Sequence, residues 1–105
     1  MDINKYQLET RKTNIMGNNL DYFMVALGGE TGELLNHYKK IMRGDKDLTL
    51  SEIVKLRQEL GGIAWYWARV LDTLGCEASE CLQENLGILE DRIKRNVVKG
   101  DGDDR

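Results

Sequence analysis

Apolar residues recur every three or four positions along most of the chain, which is the spacing of one face of a helix. The first such stretch covers residues 3–14 and the second covers residues 20–42. A third follows over residues 50–74 and a fourth over residues 77–98. No alternating strand pattern competes with them, so the sequence predicts an all-α fold, a four-helix bundle with short connections.

Turn and capping residues indicate where these helices begin and end. Asp2 is a suitable N-cap for the first helix, and residues 49–52 have the form of a capping box before the third. Gly44 and Gly75 stand just beyond the second and third helices, where a left-handed residue is common. The absence of proline from the chain agrees with long, uninterrupted helices.

Length and charge narrow the class of protein. The 105 residues suffice for one domain with a single modest core, so we expect residues 1–105 to form one domain with a polar tail at 99–105. The net charge of −3 argues against binding to nucleic acid polymers, because such proteins normally carry a basic surplus. Neither a signal peptide nor an apolar run of roughly 20 residues is present, which favours a cytoplasmic protein without a membrane partner.

Acidic residues interrupt the apolar stripes of the second and third predicted helices. Glu30 is in phase with the apolar residues of the second helix, and Glu33 lies one turn further on. Glu59 falls on the apolar stripe of the third helix. Carboxylates buried together are unfavourable unless a cation meets them, and Mg²⁺ prefers carboxylate oxygens. The pattern indicates a divalent-metal site between helices, although acidic residues at the edge of a bundle would have the same spacing.

Glycines surround the first acidic pair. Gly28, Gly29 and Gly32 lie inside the second predicted helix, where each costs roughly 1 kcal/mol relative to alanine. This cost is most simply explained if something approaches the backbone closely at these positions.

Glu30 and Glu33 form an E-x-x-E motif, which is followed after some two dozen residues by Glu59-Leu60-Gly61 and then by Trp65-Tyr66. Further matching positions are Tyr6-Gln7, Ala26-Leu27-Gly28, Lys39-Lys40, Asn85, Leu89, Arg92 and the terminal residues 100–105. This arrangement resembles the MazG-like family of all-α nucleoside triphosphate pyrophosphohydrolases over nearly the whole chain. The resemblance implies a helical bundle that assembles as a homodimer or homotetramer.

The resemblance also implies an activity and a set of site residues. A MazG-like enzyme uses Mg²⁺, or Mn²⁺, to cleave a nucleoside triphosphate to the monophosphate and pyrophosphate. Glu30, Glu33 and Glu59 would bind the metal, and Glu33 or Glu59 would orient the attacking water. Substrate contacts would come from Lys40, Asn85, Arg92, Asp103 and Arg105. These last residues also fit a solvated helix face and a frayed C-terminus.

Gly62 departs from the family pattern, because an aspartate that serves as the fourth metal ligand is expected there. The loss of one carboxylate predicts weaker metal binding and slow turnover, or none. Two alternatives therefore stay open: a nucleotide-binding relative without catalysis, and a structural helical dimerisation protein with solvated carboxylates. His37, four residues after Glu33, either hydrogen-bonds that carboxylate or is an ordinary helix residue.

Overall fold

The computed structural model describes residues 1–96 of the chain. Its four α-helices are α1 (Ile3–Thr10), α2 (Leu20–Met42), α3 (Leu50–Thr73) and α4 (Ala78–Lys94). No strand occurs in the described range, so the prediction of an all-helical fold is confirmed there. The predicted tail at 99–105 lies outside the described residues.

Two predicted helix boundaries are wrong. The first helix does not extend to residue 14, because α1 ends at Thr10 and the chain tightens into a 3-10 turn over Arg11–Thr13. The fourth helix ends at Lys94 instead of residue 98, and Asn96 follows in the left-handed region with a φ of 57°. Asparagine tolerates this conformation at a helix C-terminus better than most residues, so it ends a helix that apolar spacing alone would extend.

Other helix ends follow the signals in the sequence. The Asp2 carboxylate caps α1 by accepting a hydrogen bond from the Lys5 amide at 2.8 Å. Gly44 and Gly75 have φ values of 87° and 75° and terminate α2 and α3. In both turns the amide after the glycine donates to a carbonyl of the last helical turn, which is the Schellman arrangement.

The helices α2 and α3 form the main packing unit, a hairpin joined by residues 43–49. Near the start of α2, the Phe23 ring lies edge-on to Trp65 with centroids 6.2 Å apart. Further along, Glu30 faces Gly62, and His37 then meets residues nearer the start of α3. Positions on α3 therefore fall as positions on α2 rise, so the two helices run antiparallel.

Polar side chains of α1 attach the start of α4 to the rest of the fold. Gln7 is buried, donates to the Cys76 carbonyl at 2.8 Å and accepts from the Ala78 amide at 2.9 Å. Asn4 accepts from the Ser79 amide at 2.9 Å and donates to its hydroxyl at 2.8 Å. These bonds satisfy backbone groups at the α3–α4 turn and fix where α4 begins.

A buried arginine joins α1 to α3. Arg69, only 3% exposed, donates to Asp72 at 2.8 Å and to the Thr10 hydroxyl at 3.3 Å. Its guanidinium also lies 5.6 Å from the centre of the Phe23 ring. Hydrogen bonds from Arg11 and from Arg69 hold the pKa of Asp72 below its ordinary value in spite of partial burial. The carboxylate thereby links two cations from two helices.

The four helices do not enclose one closed core. The buried apolar side chains of the described range are Phe23, Ala68, Val70 and Ala78. In the apolar stripe predicted for the fourth helix, Val97 lies outside the described residues, and the other members are 39–67% exposed, namely Leu82, Leu86, Leu89 and Ile93. Leu60 and Leu74, predicted on the apolar stripe of the third helix, are also exposed. Within residues 1–96, no helix combines the length and the apolar character needed to cross a membrane.

Candidate functional site

The interface between α2 and α3 carries the acidic residues predicted to bind a metal. Glu30 and Glu59 are half-buried, whereas Glu33 is exposed. A Cβ atom at Gly62 would lie 3.1 Å from Oε2 of Glu30, so the two helices meet directly at this point. Glu59 lies one turn before Gly62 on the same face of α3. Glu30 and Glu59 therefore face a common interface instead of opposite sides of the fold.

The carboxylate of Glu59 has two unlike oxygens. Oε1 lies 3.0 Å from Nδ1 of His37. Oε2 is buried, and it has no hydrogen-bond partner among residues 1–96. Buried carboxylate oxygens are normally paired, so this atom is the feature of the structure that best fits a bound cation.

His37 lies between two carboxylates of α3 and contacts both. Its Nε2 is 2.6 Å from Oε2 of Glu52, and its Nδ1 faces Glu59. Lys46 and Lys55 each approach the other oxygen of Glu52 to 3.6 Å. Hydrogen bonds to Glu52 and to Glu59 raise the pKa of His37 above its ordinary 6.5. The bond to His37 lowers the pKa of Glu52 below its ordinary 4.5.

These contacts change two interpretations of the sequence. His37 was a candidate partner for Glu33, but the structure directs its ring nitrogens to carboxylates of α3. The capping box over residues 49–52 is only half formed: the Thr49 hydroxyl accepts from the Glu52 amide at 3.3 Å, but the Glu52 carboxylate contacts His37. Spacing along one helix could not reveal this, because contacts between helices depend on their register.

Two tyrosines extend the site towards the start of α2. The ring centroids of Tyr22 and Tyr66 lie 6.4 Å apart. Burial raises the pKa of Tyr66, and its interaction with Tyr22 and the charges of Glu30 and Glu33 raise it further. The charges of both carboxylates of the E-x-x-E motif thus act on the phenol of Tyr66. The available signal in the sequence was the position of Tyr66, one turn beyond Gly62 on α3.

The glycines of α2 do not serve a close approach within the described chain. A Cβ atom at Gly28, Gly29 or Gly32 would meet no atom of another element within 4 Å. No atom of another element within residues 1–96 therefore makes the close approach expected at these positions. Gly62 on α3 is the helical glycine at which a side chain would meet a neighbour, the Glu30 carboxylate.

The predicted substrate-binding residues within residues 1–96 do not lie with Glu30 and Glu59 at the α2–α3 interface. Lys40 is exposed in the last turn of α2, about 15 Å along the helix from Glu30. Asn85 is exposed and Arg92 half-buried on α4, whose main packing partners are α1 and α3. Asp103 and Arg105 lie outside the described residues.

Glu30 and Glu59 face a common interface and Glu33 is exposed one turn beyond Glu30, and the three carboxylates do not form a metal cage in the described residues. In the described part of the chain, no three side chains of His, Cys, Asp or Glu form a group that could hold a metal ion as they stand. Glutamate side chains are flexible, so Glu30 and Glu33 can adjust towards a cation at Glu59. Their oxygens are the donor type that a hard divalent cation takes, which makes the residue set chemically suitable for Mg²⁺.

Comparisons with known proteins give one curated relative. The Gene 37 protein of Mycobacterium phage L5 is 41% identical over 88 residues, which cover 82% of this chain and 76% of that protein. No family model matches the sequence. No solved structure matches it either. The name of the phage protein states no activity.

Proposed function

The chain belongs to the family of the Gene 37 protein of Mycobacterium phage L5, and we propose that it is a Mg²⁺-dependent nucleotide pyrophosphohydrolase of the MazG-like type. Its substrate would be a nucleoside or deoxynucleoside triphosphate in the cytoplasm. The observation that carries the proposal is the position of Glu30 and Glu59 on one helix interface, where Oε2 of Glu59 is buried without a partner among residues 1–96.

The proposed chemistry assigns separate tasks to the acidic residues. Glu30, Glu33 and Glu59 would hold the cation, which when bound neutralises charge on the phosphate oxygens. Glu33 or Glu59 would orient a water molecule and accept its proton. The water oxygen bonds to phosphorus as the phosphoanhydride bond breaks, and the products are a nucleoside monophosphate and pyrophosphate. Because Glu33 is exposed, it has direct access to solvent water.

The proposal includes assembly into a homodimer or homotetramer. The apolar stripe of α4 is 39–67% exposed in the single chain. Asn85 and Arg92 also lie on α4, away from the packing of α2 on α3. In an oligomer, α4 of one copy can bring these residues to the carboxylates of another. Substrate binding and assembly would then depend on the same helix.

A second candidate function is nucleotide binding without hydrolysis. One observation favours it: Gly62 supplies no fourth carboxylate. Fewer anionic ligands weaken binding of the metal, and a metal-bound nucleotide can be retained without being cleaved. This candidate shares the fold and the ligand with the first and differs in whether product forms.

Pyrophosphate release from each dNTP tests the proposal. We expect release with Mg²⁺ or Mn²⁺ and none with a chelator. Glu30→Gln and Glu59→Gln should abolish it, because each removes a charged metal ligand. Glu9→Gln is the matched control, since Glu9 is an exposed glutamate of α1 whose pair with Lys12 lies at the surface and contributes little to stability.

The possible outcomes separate the candidate functions. Intact triphosphate at high protein and metal concentrations would exclude the enzyme. If the midpoint of thermal unfolding nevertheless rises with dNTP and Mg²⁺, the protein binds nucleotide without cleaving it, because a ligand of the folded state must stabilise it. If no product forms and the midpoint does not change, the remaining candidate is a structural helical dimerisation protein.

A further inference from the structure

We propose that His37 is a positioning residue for Glu59, whose Oε1 it holds so that Oε2 is presented to the divalent cation. The inference rests on the proposed metal-dependent function and adds a residue to it that the E-x-x-E motif does not contain. It assigns a role to the imidazole through Glu59 and places no bond between His37 and the metal or the substrate.

The first observation that supports this role of His37 is that the two oxygens of Glu59 differ in their contacts. Nδ1 of His37 lies 3.0 Å from Oε1, whereas Oε2 is buried without a partner among residues 1–96. A carboxylate held through one oxygen keeps the other in a defined place, and metal ligands are commonly oriented by such a partner. Without that contact the Glu59 side chain can occupy several rotamers, so ordering it would oppose metal binding.

The second observation is that the His37 ring is itself held in place by Glu52. Its Nε2 lies 2.6 Å from Oε2 of Glu52, whose other oxygen is 3.6 Å from both Lys46 and Lys55. The His37 side chain is only 16% exposed and that of Glu59 only 25%. The ring is thus fixed from the side opposite Glu59. Glu52, near the start of α3, thereby helps His37 to hold the carboxylate of Glu59 further along the same helix.

A purely structural role, in which His37 only joins α2 to α3, makes a different prediction. In that role either ring nitrogen can join the two helices, because each contacts a carboxylate of α3. For positioning, only the contact of Nδ1 with Glu59 matters to the metal. The amide nitrogen of asparagine takes roughly the place of Nδ1, and that of glutamine takes roughly the place of Nε2. The two amide substitutions therefore separate the roles.

The experiment compares His37→Asn with His37→Gln. Binding of Mn²⁺ alone is measured from the electron paramagnetic resonance signal of the free ion. We expect His37→Gln to bind Mn²⁺ about tenfold more weakly than the wild type, as for other residues that orient a metal ligand. His37→Asn should stay close to the wild type, because it keeps a donor to Glu59. Asn36→Gln is the control at the neighbouring exposed position.

A second measurement needs no substitution of His37. The chain contains a single histidine, so its imidazole gives one identifiable set of proton resonances. Because Mn²⁺ is paramagnetic, its binding at Glu59 should broaden these resonances at low metal-to-protein ratios. Glu59→Gln should remove the broadening. This measurement tests whether Mn²⁺ binds beside His37, so the inference can be overturned even if a variant of His37 does not fold.

Each outcome supports or overturns the inference. Equal Mn²⁺ affinity of His37→Gln and the wild type, or equal weakening in both His37 variants, overturns it and leaves the metal-dependent function standing. Sharp imidazole resonances in the presence of bound Mn²⁺ overturn it as well. If the wild type neither binds Mn²⁺ nor releases pyrophosphate, the proposed function fails and the inference falls with it.

Discussion

Single side chains at the α2–α3 interface are arranged in facing pairs. Glu30 faces Gly62, and His37 faces Glu59 with Glu52 behind it. In each pair a carboxylate meets something other than a second carboxylate, so the chain without a metal avoids strong repulsion at this interface. Substitutions that restore or remove charge in these pairs should therefore change stability and metal binding together.

The contacts of His37 should make stability depend on pH. The pKa of His37 is raised above 6.5 in the folded state, so its contribution is complete below that value and is lost as pH rises through the raised pKa. The pKa of Glu52 is lowered below 4.5, so its contribution is present above 4.5 and is lost as pH falls through the lowered pKa. Together these contacts stabilise the fold most at weakly acidic pH.

We expect the midpoint of thermal unfolding of the wild type to exceed that of His37→Asn most between pH 4.5 and 6.5, with a chelator present. Asparagine does not titrate, so the difference should shrink as pH rises further. Circular dichroism at a series of pH values measures it. A difference that stays constant up to alkaline pH would contradict the assignment of this pH dependence to His37. The charged groups around the ring are Glu52, Glu59, Lys46 and Lys55.

Gly62→Asp should destabilise the metal-free protein and bind Mg²⁺ more tightly than the wild type. A side chain at position 62 begins 3.1 Å from Oε2 of Glu30, so a second carboxylate there repels the first until a cation joins them. Replacing glycine in a helix gains roughly 0.5 kcal/mol, which works in the opposite direction. Calorimetry with Mg²⁺ and thermal unfolding in a chelator measure the two effects.

Gly62→Asn is the matched control, because it has the size of aspartate without the charge. It should show neither the tighter Mg²⁺ binding nor the loss of stability that comes from repulsion. Unchanged or weaker Mg²⁺ affinity in Gly62→Asp would mean that position 62 does not face the metal.

The helices differ in how they are held. The α2–α3 hairpin is closed by apolar and aromatic contacts such as that of Phe23 with Trp65. In contrast, the start of α4 is attached to α1 by the side chains of Asn4 and Gln7. A helix held through a few buried hydrogen bonds depends strongly on each of them, because removing one leaves buried backbone groups without partners.

Gln7→Ala should therefore lower the free energy of unfolding by about 2 kcal/mol, since it removes the partners of the Cys76 carbonyl and the Ala78 amide. Urea unfolding followed by circular dichroism measures the change. Gln83→Ala is the control, because Gln83 is exposed on α4 and its loss should cost less than about 0.5 kcal/mol. Equal effects of the two substitutions would show that Gln7 does not anchor α4.

The part of the chain that the structure describes is more extended than a compact domain of similar length. Its radius of gyration is 16.7 Å, whereas about 13 Å is typical of a compact domain of this length. The apolar stripe of α4 is exposed in this single chain. Apolar helix faces of this kind are normally covered by another surface. A second copy of the chain carries the same apolar face and can cover this one.

We expect the protein to have two or four times the mass of one chain when measured by light scattering after size exclusion. Leu86→Lys should shift it towards the single chain, because the charge lies in the middle of the exposed stripe. Glu84→Lys is the control on a different face of α4. A wild type with the mass of one chain at high concentration would contradict the oligomer.

Features that depend on near neighbours along the chain were predictable from the sequence. The second helix is confirmed from Leu20 to Met42, and Asp2, Gly44 and Gly75 end or begin helices as predicted. The position of Glu30 on the inner face of α2 also followed from its phase with apolar residues. Helix periodicity, capping and the left-handed preference of glycine are local effects, so a linear sequence contains them.

Features that depend on the register between helices could not be read from the same patterns. The partners of His37, the contact of Glu30 with Gly62 and the anchoring of α4 by Gln7 join residues far apart in the chain. The exposure of the α4 stripe depends on how the helices pack. Apolar spacing specifies which face of a helix is to be covered, but the packing of whole helices determines what covers it, because many arrangements satisfy the same periodicity.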